Sequence, residues 1–151
     1  MATVLVTGFG PYGNTPHNPA ETVARAIDGE TIAGAKVVSR IVSCNFFQCI
    51  DEAADAIRET KPALVVMLGE YGGRATLTVE RLAHNLNDSA RYGLTDNAGV
   101  NLQDEPTAKE GPVAYYATVP IRAMVLAMRA AGVLADISDT PGTLVCNHLM
   151  Y

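Results

Sequence analysis

Cys146 is the residue whose position points most directly to chemistry. It follows a predicted strand, Ala135 to Ser138, and the turn Asp139-Thr-Pro-Gly142, and it sits at the start of a predicted helix that begins at Leu144. At a helix N-terminus the dipole favours a thiolate, and backbone N–H groups without intrahelical partners can hold a developing oxyanion. That is the setting of a cysteine nucleophile. A small buried apolar side chain suits the same place, which is the usual role of a structural cysteine. The local pattern leaves both readings standing. Cys44 and Cys49 lie near the start of an amphipathic helix and read as packing residues. Three cysteines with no CxxC pair exclude a disulfide scaffold and a zinc knuckle, and no metal site is expected.

Glu80 falls opposite Leu77 and Val79 in the alternating stretch Thr76 to Leu82. In a sheet covered on both faces such a carboxylate needs a partner, and Arg74, Arg81 and Arg91 are near enough in sequence. Among the histidines, His148 stands two residues past Cys146, about 200° round a helix, and so faces away from it. His84, four past Glu80, and His17, in the first loop, read as surface or capping residues. Gly8-Phe-Gly10-Pro-Tyr-Gly13 satisfies the dinucleotide fingerprint GxGxxG. The fingerprint works only where a helix opens inside it. Here Pro11, Pro16 and Pro19 delay the helix, and the second strand ends at Ser43-Cys44 without a ribose-binding acid. No nucleotide or other cofactor is expected. The glycines instead permit sharp turns, and Phe9 and Tyr12 are expected to turn aromatic faces into a pocket beside the sheet's carboxyl edge.

These residues need a scaffold, and the periodicity supplies one. Strands are predicted at Thr3 to Thr7, Lys36 to Ser43 and Ala63 to Leu68, with helices from Pro19 to Gly29 and from Phe46 to the break at Pro62. Strand and helix alternating at this spacing imply an α/β fold with a mostly parallel sheet. Asn85 to Pro112 is polar and rich in Gly, Asn and Asp, a long irregular segment expected to carry function or cover a surface. A strand at Tyr115 to Val119 and a helix opening at Pro120 follow.

Composition narrows the class. The 151 residues fit one domain, with 48% hydrophobic and 18% charged residues. A net charge of −5 argues against nucleic acid as the main partner. No apolar run approaches the roughly 20 residues that cross a bilayer, and the N-terminus has no basic region like that of a signal peptide. A cytoplasmic location is expected, where the sequon Asn87-Asp-Ser89 has no role.

Taken together, the segments resemble the pyroglutamyl peptidase type I family of cysteine peptidases, also called pyrrolidone-carboxylate peptidases. The matching pieces run in order along the whole chain. They include Val6 to Gly13, Asn18-Pro19, Gly72-Gly-Arg74, Val79-Glu-Arg81, Asn85 to Asp88, Asp96-Asn97-Ala-Gly99, Ala114-Tyr-Tyr116, Val119-Pro-Ile121 and Gly142 to Tyr151. The resemblance implies a three-layer αβα fold and removal of N-terminal pyroglutamate from peptides. It implies Cys146 as nucleophile, Glu80 as the acid orienting a catalytic histidine, and Arg91 beside the thiolate and oxyanion. Phe9, Tyr12, Leu144 and Val145 would line the lactam pocket, Asn18 would order its loop, and Glu70 stands where the family often has glutamine. Other departures are Tyr12 for Phe, Pro141 for Ala, Leu144 for Phe, and the stretched segment Arg91 to Asp96.

The family's histidine follows the cysteine by a couple of dozen residues, on a strand beyond Tyr151. The resemblance thus implies a domain without the family's C-terminal strand and helix, impaired in catalysis and prone to form homo-oligomers through its uncovered sheet. The alternative expectation is a natural short form that keeps the fold and ligand binding without catalysis.

Overall fold

The run Thr-Val-Leu-Val-Thr-Gly-Phe forms β1 (Thr3–Phe9), at the centre of a four-stranded sheet, in a computed structural model that describes all residues 1–151. β3 (Ala35–Val42) and β4 (Leu64–Leu68) flank it in parallel, and β2 (Thr31–Ile32) pairs antiparallel with β3, giving the order β2-β3-β1-β4. The pairing is mostly parallel, as α/β alternation predicts. β2 had no sequence signal. Its hairpin turns through Ala33 and Gly34, both at positive φ (49° and 79°). Such turns usually announce themselves as Asn-Gly or Asp-Gly, and Ala-Gly does not.

Two helices complete this unit, which comprises Met1–Glu70 and Leu94–Asn101. α1 (Pro19–Ala26) is capped by Asn18, whose side chain accepts from Ala20 N at 2.9 Å, with Pro19 in the first turn. α2 (Gln48–Thr60) buries Cys49, Ala53 and Ala56. It starts at Gln48, not Phe46, because Phe47 adopts φ 63°, which no helical residue can. Phe46 is therefore buried and Phe47 exposed. β1 packs so closely on α1 that a Cβ at Gly8 would lie 2.5 Å from Ala20 O and 2.9 Å from Ala24 Cβ. The first glycine of the GxGxxG string serves this contact, and α1 begins only at Pro19. The segment 94–101 is tied down by Asp96, whose carboxylate accepts from the N–H groups of Phe46 (2.8 Å), Ala98 (2.9 Å) and Val100 (2.8 Å).

The second unit comprises Tyr71–Gly93 and Leu102–Tyr151. The alternating stretch predicted as one strand divides at Arg81 into β5 (Leu77–Glu80) and β6 (Leu82–His84). β5 pairs in parallel with β8 (Ala135–Ser138), and β6 pairs antiparallel with β7 (Ala114–Tyr116). Arg81 serves both ladders, its N–H donating to Ser138 O and its C=O accepting from Ala117 N. α3 (Ile121–Ala130) and α4 (Val145–Met150) are its helices, and a 3-10 turn spans Ala90–Tyr92.

Residues 85–112 are largely irregular, as expected, but hydrogen bonds anchor them at several points. Asn87 and Glu105 form an isolated bridge, and the fully buried Asn87 donates its amide to Thr107 Oγ1 at 3.0 Å. That leaves the Thr107 hydroxyl proton for Nδ1 of His148, 2.9 Å away and also fully buried. Burial holds the His148 pKa down from 6.5 to about 4, the neutral form that this chain of bonds accepts.

Two predictions follow from this packing. Gly8→Ala should lower unfolding stability by about 2 kcal/mol, through the clash with Ala20 O, in a denaturant titration. His148 takes up its proton more readily in the unfolded chain. Its contribution is therefore complete above pH 6.5 and lost as pH falls from 6.5 towards 4. Over that window the loss should reach about 3 kcal/mol, and a His148→Gln variant should show a flatter profile.

Candidate active site

Cys146 is the second residue of α4 and half-buried. The turn before it needs glycine at position 142, where φ is 84°. Thr143 then locks the entry, accepting at its C=O from Asp88 N (2.9 Å) and donating its hydroxyl to Asp88 O (3.1 Å). Leu144 and Val145, both half-buried, lead directly into the cysteine. Asn147, next after it, is fully buried and fixed by three bonds. Its Oδ1 accepts from His84 N (2.9 Å), and its Nδ2 donates to His84 O (2.8 Å) and Leu86 O (3.0 Å). The His84 ring is engaged as well, with Nε2 3.0 Å from Gly142 O and 2.6 Å from Thr140 Oγ1. His84 was expected at the surface or as a cap. It is instead half-buried, because its ring has acceptors in the turn that precedes the cysteine.

Glu80 ends β5 opposite Ser138 of β8, the residue that opens the turn towards Cys146. One carboxylate oxygen, Oε1, accepts from Thr78 Oγ1 at 3.3 Å and lies 3.6 Å from Arg74 Nη1. The other, Oε2, is buried with no hydrogen-bond partner. A buried acceptor left unpaired is costly, so this oxygen is set to receive a donor. Of the three candidate arginines, Arg74 is the partner and also lies over the Tyr71 ring at 4.4 Å. Arg81 pairs with Asp139 at 2.6 Å. Arg91 is exposed, its guanidinium 4.9 Å from the centre of the Tyr92 ring, in the 3-10 turn anchored by Asp88.

The remaining candidates belong to the first unit. Phe9 is only 3% exposed, packed at the end of β1, whereas Tyr12 is 36% exposed. Tyr12 is thus the more exposed aromatic of the loop. Asn18 orders that loop by donating Nδ2 to Gly10 O at 2.9 Å while capping α1. Glu70 lies two residues past Leu68, whose partner across the ladder is Gly8, so it stands at the carboxyl edge beside Phe9 and Gly10. Its Oε2 is also buried without a partner.

Two residues lie in the matching motifs but were given no role there. Asn97 brackets Tyr12, donating to Pro11 O (2.9 Å) and accepting from Gly13 N (3.1 Å). Asn147 holds α4. The available signal was an asparagine within the apolar string Leu144 to Met150 and the Asp96-Asn97 pair before a glycine. No three His, Cys, Asp or Glu side chains are grouped to hold a metal ion.

A family model described as pyroglutamyl peptidase matches residues 2–151. Pyrrolidone-carboxylate peptidases of Mycobacterium tuberculosis and Mycobacterium marinum are 66% identical over the whole chain, which spans 68% of their length. The crystal structure of pyroglutamyl peptidase I from Bacillus amyloliquefaciens superposes with a TM-score of 0.96 at 34% identity, covering 100% of this chain and 72% of that one. Pyrrolidone carboxyl peptidase from Thermococcus litoralis gives 0.95 at 36% identity, covering 99% and 67%. With order of motifs, fold and sequence identity all agreeing along its full length, the chain belongs to the pyroglutamyl peptidase family.

Proposed function

We propose that this chain acts in removing an N-terminal pyroglutamyl residue from peptides, with Cys146 as nucleophile. The observation that carries the reading is the half-used carboxylate of Glu80. Arg74 and Thr78 fix one oxygen while the other is buried and open to a donor. A cysteine hydrolase needs such a group to hold an imidazole in the tautomer that can take the thiol proton.

In this mechanism the Cys146 thiolate attacks the carbonyl carbon that links the lactam to the next residue. Backbone N–H groups of the first turn of α4 receive the oxyanion, and Arg91 lends positive charge nearby. The imidazolium returns its proton to the departing amine, and water then cleaves the thioester.

None of the three histidines within residues 1–151 fits the base. The His84 ring is bonded to the turn at Gly142, and His148 is buried, bonded to Thr107 and held neutral. His17 is exposed in the first loop. The reading therefore assigns the imidazole for Glu80 to a group outside these three side chains.

Two measurements test the reading. Brief iodoacetamide treatment with peptide mapping should label Cys146 faster than the buried Cys44 and Cys49. Equal or slower labelling at Cys146 would remove the nucleophile. A polypeptide of residues 1–151 alone should hydrolyse a pyroglutamyl chromogenic substrate hardly faster than its Cys146→Ser variant, since removing one member of such a triad costs several orders of magnitude. Robust turnover abolished by Cys146→Ser would show that one of the three histidines serves as base.

A further inference from the structure

We infer that His84 and Asn147 form a bracket that sets the position of the Cys146 thiol, which makes both of them positioning residues; the inference rests on the reading of Cys146 as nucleophile. A single residue of β6 grips the cysteine-bearing segment on both sides. Ahead of Cys146, the His84 ring reaches the turn, with Nε2 at 3.0 Å from Gly142 O and 2.6 Å from Thr140 Oγ1. A carbonyl only accepts, so Nε2 carries the proton that meets it. Thr140 Oγ1 in turn receives Gly142 N at 3.0 Å, closing the turn on itself. Beyond Cys146, the backbone N–H and C=O of the same His84 are taken up by the side-chain amide of Asn147. That amide completes the side of β6 turned away from β7, as a neighbouring strand would, and adds a third bond to Leu86 O.

α4 depends on such contacts. It has six residues and no side-chain cap at its N-terminus, too short to hold its place by helical hydrogen bonds alone. An asparagine with no exposed surface is an expensive way to fill volume where the neighbouring Leu149 is apolar. What the amide provides over an apolar side chain is direction, since its three bonds fix the rotation of the helix about its own axis. Rotation is what aims the side chain of the preceding residue, Cys146.

The test reads the thiol itself, in the chain as it stands. Cys146 alkylation by iodoacetamide is followed by peptide mapping as a function of pH, beside thermal unfolding, for the unsubstituted chain and for His84→Phe, His84→Gln, Asn147→Ala and Asn147→Asp. His84→Phe and Asn147→Ala should label Cys146 roughly tenfold more slowly near neutral pH, with the profile displaced to higher pH, because the thiol leaves the field that favours its thiolate. His84→Gln keeps an N–H donor near the Nε2 position and should restore the rate. Asn147→Asp turns an acceptor towards two carbonyls and should resemble Asn147→Ala. Lower melting temperatures with unchanged or faster labelling in the folded variants would overturn the bracket and leave a purely structural role. Slow labelling of Cys146 in the unsubstituted chain, read before any variant, would remove the nucleophile and the bracket with it. If the Asn147 variants do not fold, the contrast between His84→Phe and His84→Gln decides alone.

Discussion

Backbone N–H and C=O groups withdrawn from water must find partners, and the loops and turns around the candidate residues have no ladder to provide them. Asn and Asp side chains fill that role throughout the chain. Asn18 closes the first loop on Gly10 while capping α1, and Asn97 pins the same loop at Pro11 and Gly13. Asp96 gathers three N–H groups, including that of Phe46 in the loop after β3. In the second unit Asn85 bonds both N–H and C=O of Ala108, and Asn147 supplies the missing neighbour of β6. A short amide or carboxylate bonds the backbone at a fixed distance and angle. Loops held this way can be irregular in path and still definite in position.

The same economy explains which polar atoms remain open. Six buried side-chain oxygens lack a hydrogen-bond partner, and two of them, on Glu70 and Glu80, belong to carboxylates. Each lies just at or beyond the carboxyl end of a parallel strand, β4 and β5, where α/β folds place their chemistry. Buried acceptors without donors weaken a fold unless function keeps them, and the open oxygen of Glu80 is where an imidazole is proposed to bind.

The two histidines of the second unit show how different uses follow from surroundings rather than residue type. His148, sealed from water, is pushed by burial to a low pKa, and it serves packing beside the Thr107 hydroxyl. His84, half-buried with the Gly142 carbonyl and the Thr140 hydroxyl before its Nε2, is tied to a turn. Neither use follows from position in sequence. A histidine two residues past a cysteine could be placed on the wrong side of a helix by geometry alone, but its partner Thr107 lies 41 residues away.

Much of the fold was legible because it rests on short-range rules. The β-branched run of β1, the apolar spacing of α2 and the prolines at the start of α1 and α3 act within a few residues. The junction that carries Cys146 and the strand that carries Glu80 were legible too, since a strand–turn–helix junction and an alternating strand are local patterns. Other features depended on partners far along the chain. The split of residues 77–84 into two strands follows from β8 and β7, each pairing with a different half. Arg74 rather than Arg81 or Arg91 meets Glu80 because Asp139 and Tyr92 occupy the others. Asn147 on β6 and Asn97 on the first loop bridge 63 and 84–86 residues of sequence. The sequence by itself determined most of the elements, because propensity and periodicity are local. Only the tertiary structure decided which polar groups meet, because a hydrogen bond depends on distance in space and angle, which spacing along the chain does not encode.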